Sequence, residues 1–341
     1  MMVVPQAILM NMSGKISVIV PSYRRPRDLE RCIAALAAQS RPPDEILIVL
    51  RETDSPTQQL VARSQGGLRS LIAVPVVEPG LIQAMNCGLA SAKGDFIVFT
   101  DDDSEPEADW LERIERSFAD DTIGAVGGRD WLQLPDEPAL FAPAEVAKVG
   151  VLSWYGKQHG NHHCPLRGHA RPVMFLKGVN MAYRTRALGN YRVDVRLHGT
   201  GAQVGSELDL CMHIQRSGFT VLFDDRILVK HYSSARPGGE DRTDVDGQIW
   251  KDTCYNTHYL VAKHFGWFQA WAHFCYRTLF GTRALPGLFA FLRWTLNGDL
   301  QIWRRMLQMT RIALEGHWNG RSARTRPPAS TNNLQLAQER L

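Results

Sequence analysis

The stretch Gly94-Asp-Phe-Ile-Val-Phe-Thr-Asp-Asp-Asp103 sets four apolar residues and a threonine before three consecutive carboxylates. A short apolar run rich in aromatic and β-branched side chains, bounded by a glycine, reads as a buried strand over Asp95–Thr100. Adjacent carboxylates repel one another, so Asp101, Asp102 and Asp103 are comfortable only in solvent or around a cation. Hard oxygen ligands at a strand end suit Mg²⁺ or Mn²⁺ shared with a diphosphate. The competing reading is a solvated acidic turn that caps the next helix.

Elements of the same kind extend outward from this stretch. Lys15–Val20 reads as a strand ended by Pro21, and Asp28 opens a helix with Leu29, Cys32, Ile33 and Leu36 on one face. Asp44–Leu50 is a second strand, Leu68–Val77 contains a third, and Gly80–Ala92 fits a helix closed by Gly94. Helices alternating with strands that are apolar on both faces predict an α/β fold with a mainly parallel sheet flanked by helices. Ligands of such sheets lie beyond the carboxyl ends of the strands, where Asp54 and the aspartate triplet both fall. Residues 135–172 read as loops with one helix, and order returns at Val173–Tyr183. A helix is expected over Ser206–Arg216, with Ser206 as N-cap and Gly218 as its stop. A strand over Thr220–Phe223 follows, and an apolar run leads on to Val229.

Length and charge limit the function classes. At roughly 150 residues per domain, 341 residues imply about two domains. A composition of 44% hydrophobic and 22% charged residues excludes collagenous, disordered and disulfide-scaffold chains. The net charge of +4 is too small to argue for nucleic acid. It is unevenly placed: from Lys263 onward there are 11 Lys/Arg against 3 acids, or +8, which leaves −4 for residues 1–262. The 6 cysteines have no paired spacing, so neither a disulfide framework nor a CxxC site is expected. The apolar start, MMVVPQAILMNM, lacks the cationic region of a signal peptide, and a cytoplasmic location is expected. No uncharged stretch reaches the ~18 residues of a membrane span. Phe265–Trp294 nevertheless holds ten of the thirty aromatic residues, interleaved with Arg277, Arg283 and Arg293. This segment fits either a peripheral contact with the inner face of a membrane or a helical bundle packed on the body.

Several motifs occur together in one order: Ser17-Val-Ile-Val-Pro-Ser-Tyr-Arg-Arg-Pro26, Asp44-Glu-Ile-Leu-Ile-Val49, Gly80 with Ala84-Met-Asn-Cys-Gly88, and the Gly94–Asp103 stretch. Lys177-Gly-Val-Asn-Met-Ala-Tyr-Arg184, Gly205-Ser-Glu-Leu-Asp-Leu-Cys211 and Val229-Lys-His231 follow. Over about residues 15–265 the sequence resembles a family 2 glycosyltransferase of the GT-A fold. The resemblance implies an inverting enzyme that moves a sugar from a UDP-, dTDP- or GDP-linked donor to a hydroxyl acceptor. If the basic–aromatic segment lies on a membrane, that acceptor is expected to be a polyprenyl-linked or cell-surface glycan. It implies that Pro21 and Tyr23 line the base pocket, and that Arg25, Glu52, Asp54, Asn86, Asp101 and Asp102 serve the nucleotide sugar. Asp103 would bind the metal, Mn²⁺ or Mg²⁺, with His231 as a further ligand or diphosphate contact. Asn180 would face the acceptor. Glu207 would be the general base, a role that suits a carboxylate taking a proton from a sugar hydroxyl; Asp209 is its rival.

Two positions depart from the family pattern. Arg51 stands where the second strand usually ends in an acid, and Met85 replaces a basic residue before the helix asparagine. The implied layout is a nucleotide-sugar half (14–125), an acceptor and catalytic half (126–262), a basic–aromatic helical extension (263–325) and a polar tail (326–341). The cluster His159, His162, His163, Cys164 and His169 matches no common zinc spacing and reads as a polar acceptor loop. Trp250 and Trp267 read as core. A sugar nucleotidyltransferase would share the α/β layout but would want a glycine-rich phosphate loop where Pro21–Pro26 stands. A non-catalytic binding module of the same fold would have no need of Asp101, Asp103 and Glu207.

Overall fold

The computed structural model describes residues 14–133, 144–155, 157–199, 201, 203–232, 234, 247–281, 287–289 and 301–325. The apolar start and the polar tail considered above lie outside them. The first half runs β1 (Ile16–Ser22), α1 (Pro26–Ala37), β2 (Glu45–Arg51), α2 (Ser55–Gln65), β3 (Leu71–Val76), α3 (Leu81–Ser91), β4 (Phe96–Phe99), β5 (Ser104–Pro106), α4 (Trp110–Ser117) and β6 (Ile123–Leu132). The second half runs β7 (Val151–Leu152), β8 (Gln158–His159), β9 (Ala170–Pro172), β10 (Met181–Arg184), α5 (Thr185–Leu188), α6 (Ser206–Arg216), β11 (Thr220–His231), α7 (Gln248–His264), α8 (Trp267–Leu279) and α9 (Gln301–Thr325).

One sheet carries both halves, in the order β3-β2-β1-β4-β10-β6-β11-β5, with β9 paired to β11. β1, β2, β3 and β4 are mutually parallel, and β10 enters antiparallel between β4 and β6. The period of two along each strand divides the core between the two faces. Val18, Val20, Ile46, Ile48 and Val98 pack toward α1 and α4. Ile19, Leu47, Val49, Ile97 and Phe99 pack toward α3, α6 and α7. Because both faces are covered, β1 and β2 read as continuous apolar runs.

The second half differs from its sequence reading in three places. Short strands β7, β8 and β9 lie within 144–172, and none of the described residues there forms the expected helix; residues 134–143 lie outside the described residues. β11 is a single strand through His231, with register shifts against β6 between Asp224 and Leu228. The N-cap of α6 is Gly205 rather than Ser206: its φ of +109° suits glycine, and the Ser206 hydroxyl turns to Glu207 instead.

The C-terminal helices pack on the body. α9 lies along α7 with Ala313, Gly316, Gly320 and Ala323 buried. A Cβ on Gly316 would stand 2.5 Å from the Tyr255 carbonyl oxygen, and one on Gly320 would collide with that of Tyr259. The boundary expected at 262/263 falls inside α7, and Lys263 is buried. Trp250 packs against Cys254 and Ala313, whereas Trp267 is exposed rather than core. Among the described residues, no helix is long and apolar enough to cross a membrane. Gly320→Leu should force α9 off α7 and lower stability by ~3 kcal/mol, the upper end of overpacking costs, as read by urea denaturation. An unchanged midpoint would contradict this docking.

Candidate active site

β4 ends at the centre of the sheet, so the acid triplet emerges where β1, β4 and the end of β11 converge. Asp102 is fully buried: it accepts a 2.8 Å hydrogen bond from Ser22 and pairs at 2.5 Å with Arg25. Arg25 also donates to Asp103 Oδ2 at 2.7 Å. The tail of β11 closes over the triplet, the Tyr232 amide donating to the Asp103 carbonyl and the Ser234 amide to Asp103 Oδ2. His231 stands between two acids, with Nε2 3.4 Å from Asp103 Oδ1 and Nδ1 3.0 Å from Asp130 Oδ1.

These contacts set the charges. Burial pushes the Asp102 carboxyl up to about 7, although Arg25 and Ser22 favour its ionised form. Burial acts in the same direction on Asp103, but His231, Arg25 and the Ser234 amide outweigh it and hold Asp103 well below the usual carboxylate range. Burial and the Asp103 charge raise Asp101. Burial alone would lower the His231 imidazole, yet Asp103 and Asp130 together raise it to about 10. The site thus gathers more negative charge than Arg25 alone neutralises.

A divalent cation fits this arrangement. One ligand atom from each of Asp101, Asp103 and His231 lies within 4.8 Å of the others. Asp103 Oδ1 is buried, and its near neighbour is His231 Nε2 at 3.4 Å, a long contact that a cation held between the two would replace. Two carboxylates and an imidazole form a donor set suited to Mn²⁺ or Mg²⁺. Asp101, expected on the nucleotide side, stands within this group. Among the described residues, the cysteine–histidine loop forms no such group.

Other expected site residues have structural tasks. Asp54, 1% exposed, accepts from the Arg24 amide at 2.6 Å and the Thr57 hydroxyl at 2.7 Å, so it caps α2 and shapes the loop that carries Tyr23. Asn86 exchanges two 2.9 Å hydrogen bonds with the Val193 backbone. Asn180 is fully buried; it accepts from the Trp110 indole and donates to the Arg129 and Ile227 carbonyls. Both of its amide hydrogens are used within the fold, so it does not face an acceptor. Arg25 is committed to the triplet. Tyr23 and Glu52 are exposed, and Pro21 is half-buried.

The rival carboxylates of α6 have opposite environments. Asp209 is fully buried and pairs with Lys263 at 2.7 Å and His264 at 2.7 Å, and it accepts from the Tyr191 hydroxyl and the Asp194 amide. Burial would raise its pKa, but His264 and Lys263 outweigh that and lower it. Glu207 is half-buried in the first turn of α6, where the helix N-terminus favours an anion. It borders a narrow recess of about 50 Å³ with Gln158, Phe175, Val204, Thr257 and Leu260. The sequence reading missed Ser22, Asp130, Asp194 and the inward role of Lys263. Lys263 sits at the end of a helical run with apolar Tyr259, Leu260 and Val261 before it, the one available hint that it is buried.

Residues 17–143 match the family described as Glycosyl transferase family 2. Glycosyltransferase AglE of Haloferax volcanii is 27% identical over 116 residues, 33% of this chain and 38% of that protein. Pre-mycofactocin glycosyltransferase of Mycobacterium tuberculosis is 26% identical over 161 residues, 45% of this chain and 30% of that protein. The chain therefore spans only about a third of the length of these relatives. The mannosyltransferase PcManGT from Pyrobaculum calidifontis, solved in complex with GDP-Man and Mn²⁺, aligns with a TM-score of 0.54 at 18% identity, over 94% of this chain and 89% of that one. At that identity the likeness is one of fold. The family match is thus confined to residues 17–143, and the architecture of the chain is that of the GT-A fold.

Proposed function

We propose that the chain transfers a sugar from a nucleotide-diphosphate donor to a hydroxyl acceptor with inversion at the anomeric carbon. The observation that carries this reading is the group Asp101, Asp103 and His231 at the end of a central strand, with one ligand atom of each within 4.8 Å of the others. The GDP-Man and Mn²⁺ held by the structural neighbour support a UDP-, dTDP- or GDP-linked donor and a divalent ion, Mn²⁺ or Mg²⁺. When bound, such an ion offsets charge building on the departing diphosphate. Tyr23, Pro21 and Glu52 lie on the base side of the same strand ends, and Arg25 reaches the diphosphate once it leaves the triplet.

Glu207 acts as the general base. It takes the acceptor proton as the new bond from the acceptor oxygen to the anomeric carbon forms. The bond from that carbon to the diphosphate oxygen breaks on the opposite side, and its electron pair leaves with the nucleoside diphosphate. The recess beside Glu207 is narrow, so a hydroxyl-bearing edge of the acceptor would enter it while the bulk of the acceptor stays outside. A polyprenyl-linked glycan reached from a membrane surface fits that demand.

Glu207→Gln should leave donor affinity unchanged and lower transfer by a factor of about 10²–10⁴. Asp209→Asn should instead lower the melting temperature, because it strips a partner from buried Lys263, a loss of ~3 kcal/mol. A large catalytic loss confined to Asp209→Asn, in a protein of normal stability, would move the base to Asp209.

Arg25 competes with a cation for Asp103. Arg25→Gln should raise Mn²⁺ affinity in the absence of nucleotide about tenfold, equivalent to ~1.4 kcal/mol, and weaken donor binding. Calorimetric titration of Mn²⁺ alone reads the first effect; unchanged Mn²⁺ affinity would show that Arg25 does not hold the site.

A further inference from the structure

Outside the cleft, one line of aromatic rings runs across the surface between the β7–β8 hairpin and α8. Phe268 stacks on Trp154 with ring centroids 6.3 Å apart, and Trp154 meets Tyr155 edge-on at 5.3 Å. Tyr155 contacts Tyr276 at 4.5 Å, Tyr276 contacts Phe280 at 5.6 Å, and Phe280 contacts Phe289 at 5.1 Å. Trp154, Phe268, Phe280 and Phe289 are each more than half exposed, at 62%, 68%, 58% and 53%. A contiguous exposed line of large rings marks a contact surface rather than scattered surface hydrophobes.

Charge indicates what covers it. The rings come from Trp154, Tyr155 and residues 268–289; in sequence the surrounding stretches, 146–193 and 253–298, hold twelve Lys/Arg and no acid. Of these, Lys148 and Lys157 are exposed near the hairpin, while Arg184 and Lys263 are buried in the body. The rest of the chain is net acidic, so the rings come from its acid-free stretches. A second copy of an acid-poor, aromatic face would bring like charges together. Rings with polar tips, such as Trp154 and Tyr155, beside lysine and arginine are the side chains that settle at the boundary of headgroups and acyl chains. The hairpin also joins the strip to the cleft: Gln158, four residues after Trp154, lines the recess beside Glu207.

We propose that this strip seats the protein on the anionic headgroup layer of a lipid bilayer, with Trp154 and Phe268 as its inserted anchors. The docking deepens the transferase reading above, because a surface held there brings the hydroxyl of a lipid-anchored acceptor to the Glu207 recess. No helix need cross the bilayer for this contact.

The test is sedimentation of the full chain with phosphatidylglycerol-containing vesicles and with pure phosphatidylcholine vesicles, at low and high salt. The parent should bind the anionic vesicles, ignore the neutral ones and be partly released by salt, since attraction to charged headgroups is screened within a Debye length. Trp154→Ser combined with Phe268→Ser removes two exposed rings, so its melting temperature should match the parent's. Its vesicle affinity should fall about tenfold or more, with nucleotide-sugar binding retained. A parent that stays in the supernatant with anionic vesicles at low salt, or a double variant that binds as the parent does, overturns the proposal. So does a dimer that the double variant dissolves, which would assign the strip to a second copy. Failure of the parent to bind any nucleotide sugar would count against the transferase reading and leave the vesicle result to stand by itself.

Discussion

Three carboxylates in sequence at the end of a buried strand cannot be left to repel one another, and much of the molecule is arranged around that constraint. Compensation comes from distant segments: Arg25 after β1, His231 at the end of β11, and backbone amides from the turn that follows it. Each brings its element to the same point of the sheet. The cleft is therefore held together by the electrostatics that make it attractive to a divalent cation. The protein's own cations only partly balance the acids, and Asp103 Oδ1 meets His231 at the long distance of 3.4 Å.

A second charged node fixes the other wall. Asp194 and Asp209 share Lys263, with His264, Tyr191 and Tyr259 completing the hydrogen bonds. Removing charges from water is costly, and such a group persists only where every partner is supplied. Through it α7 holds α6, and α6 sets the direction of Glu207. α9 lies behind α7 on a glycine face. The C-terminal helices are thus tied to the wall that carries Glu207, by a chain of contacts running from Tyr259 and Lys263 to Asp209.

The sheet was legible in the sequence because its strands are buried on both faces, and Ile16–Val20 and Ile46–Leu50 show this directly. The acid triplet and His231 were legible as chemistry, for carboxylates after an apolar run have few uses. The fate of Asn86, Asn180 and Asp54 was not. A buried asparagine that bridges backbone groups and one that meets a ligand have the same letter, and only long-range partners such as Val193 or Ile227 separate them. Lys263 was obscure for the same reason: its two acids lie 69 and 54 residues away. The acid-free character of 253–298 was visible early, but its meaning depended on Trp154 and Tyr155, which the fold brings alongside from more than a hundred residues upstream.

The central claim is that Asp101, Asp103 and His231 hold the divalent ion through which a nucleotide sugar binds. Calorimetric titration of GDP-, UDP- and dTDP-sugars, with and without Mn²⁺, tests it directly when the parent is set beside Asp103→Asn. The account predicts one donor site per chain that requires the ion and disappears in the variant, whose melting temperature shows it still folded. Donor binding of equal strength without Mn²⁺, retained in Asp103→Asn, would contradict it.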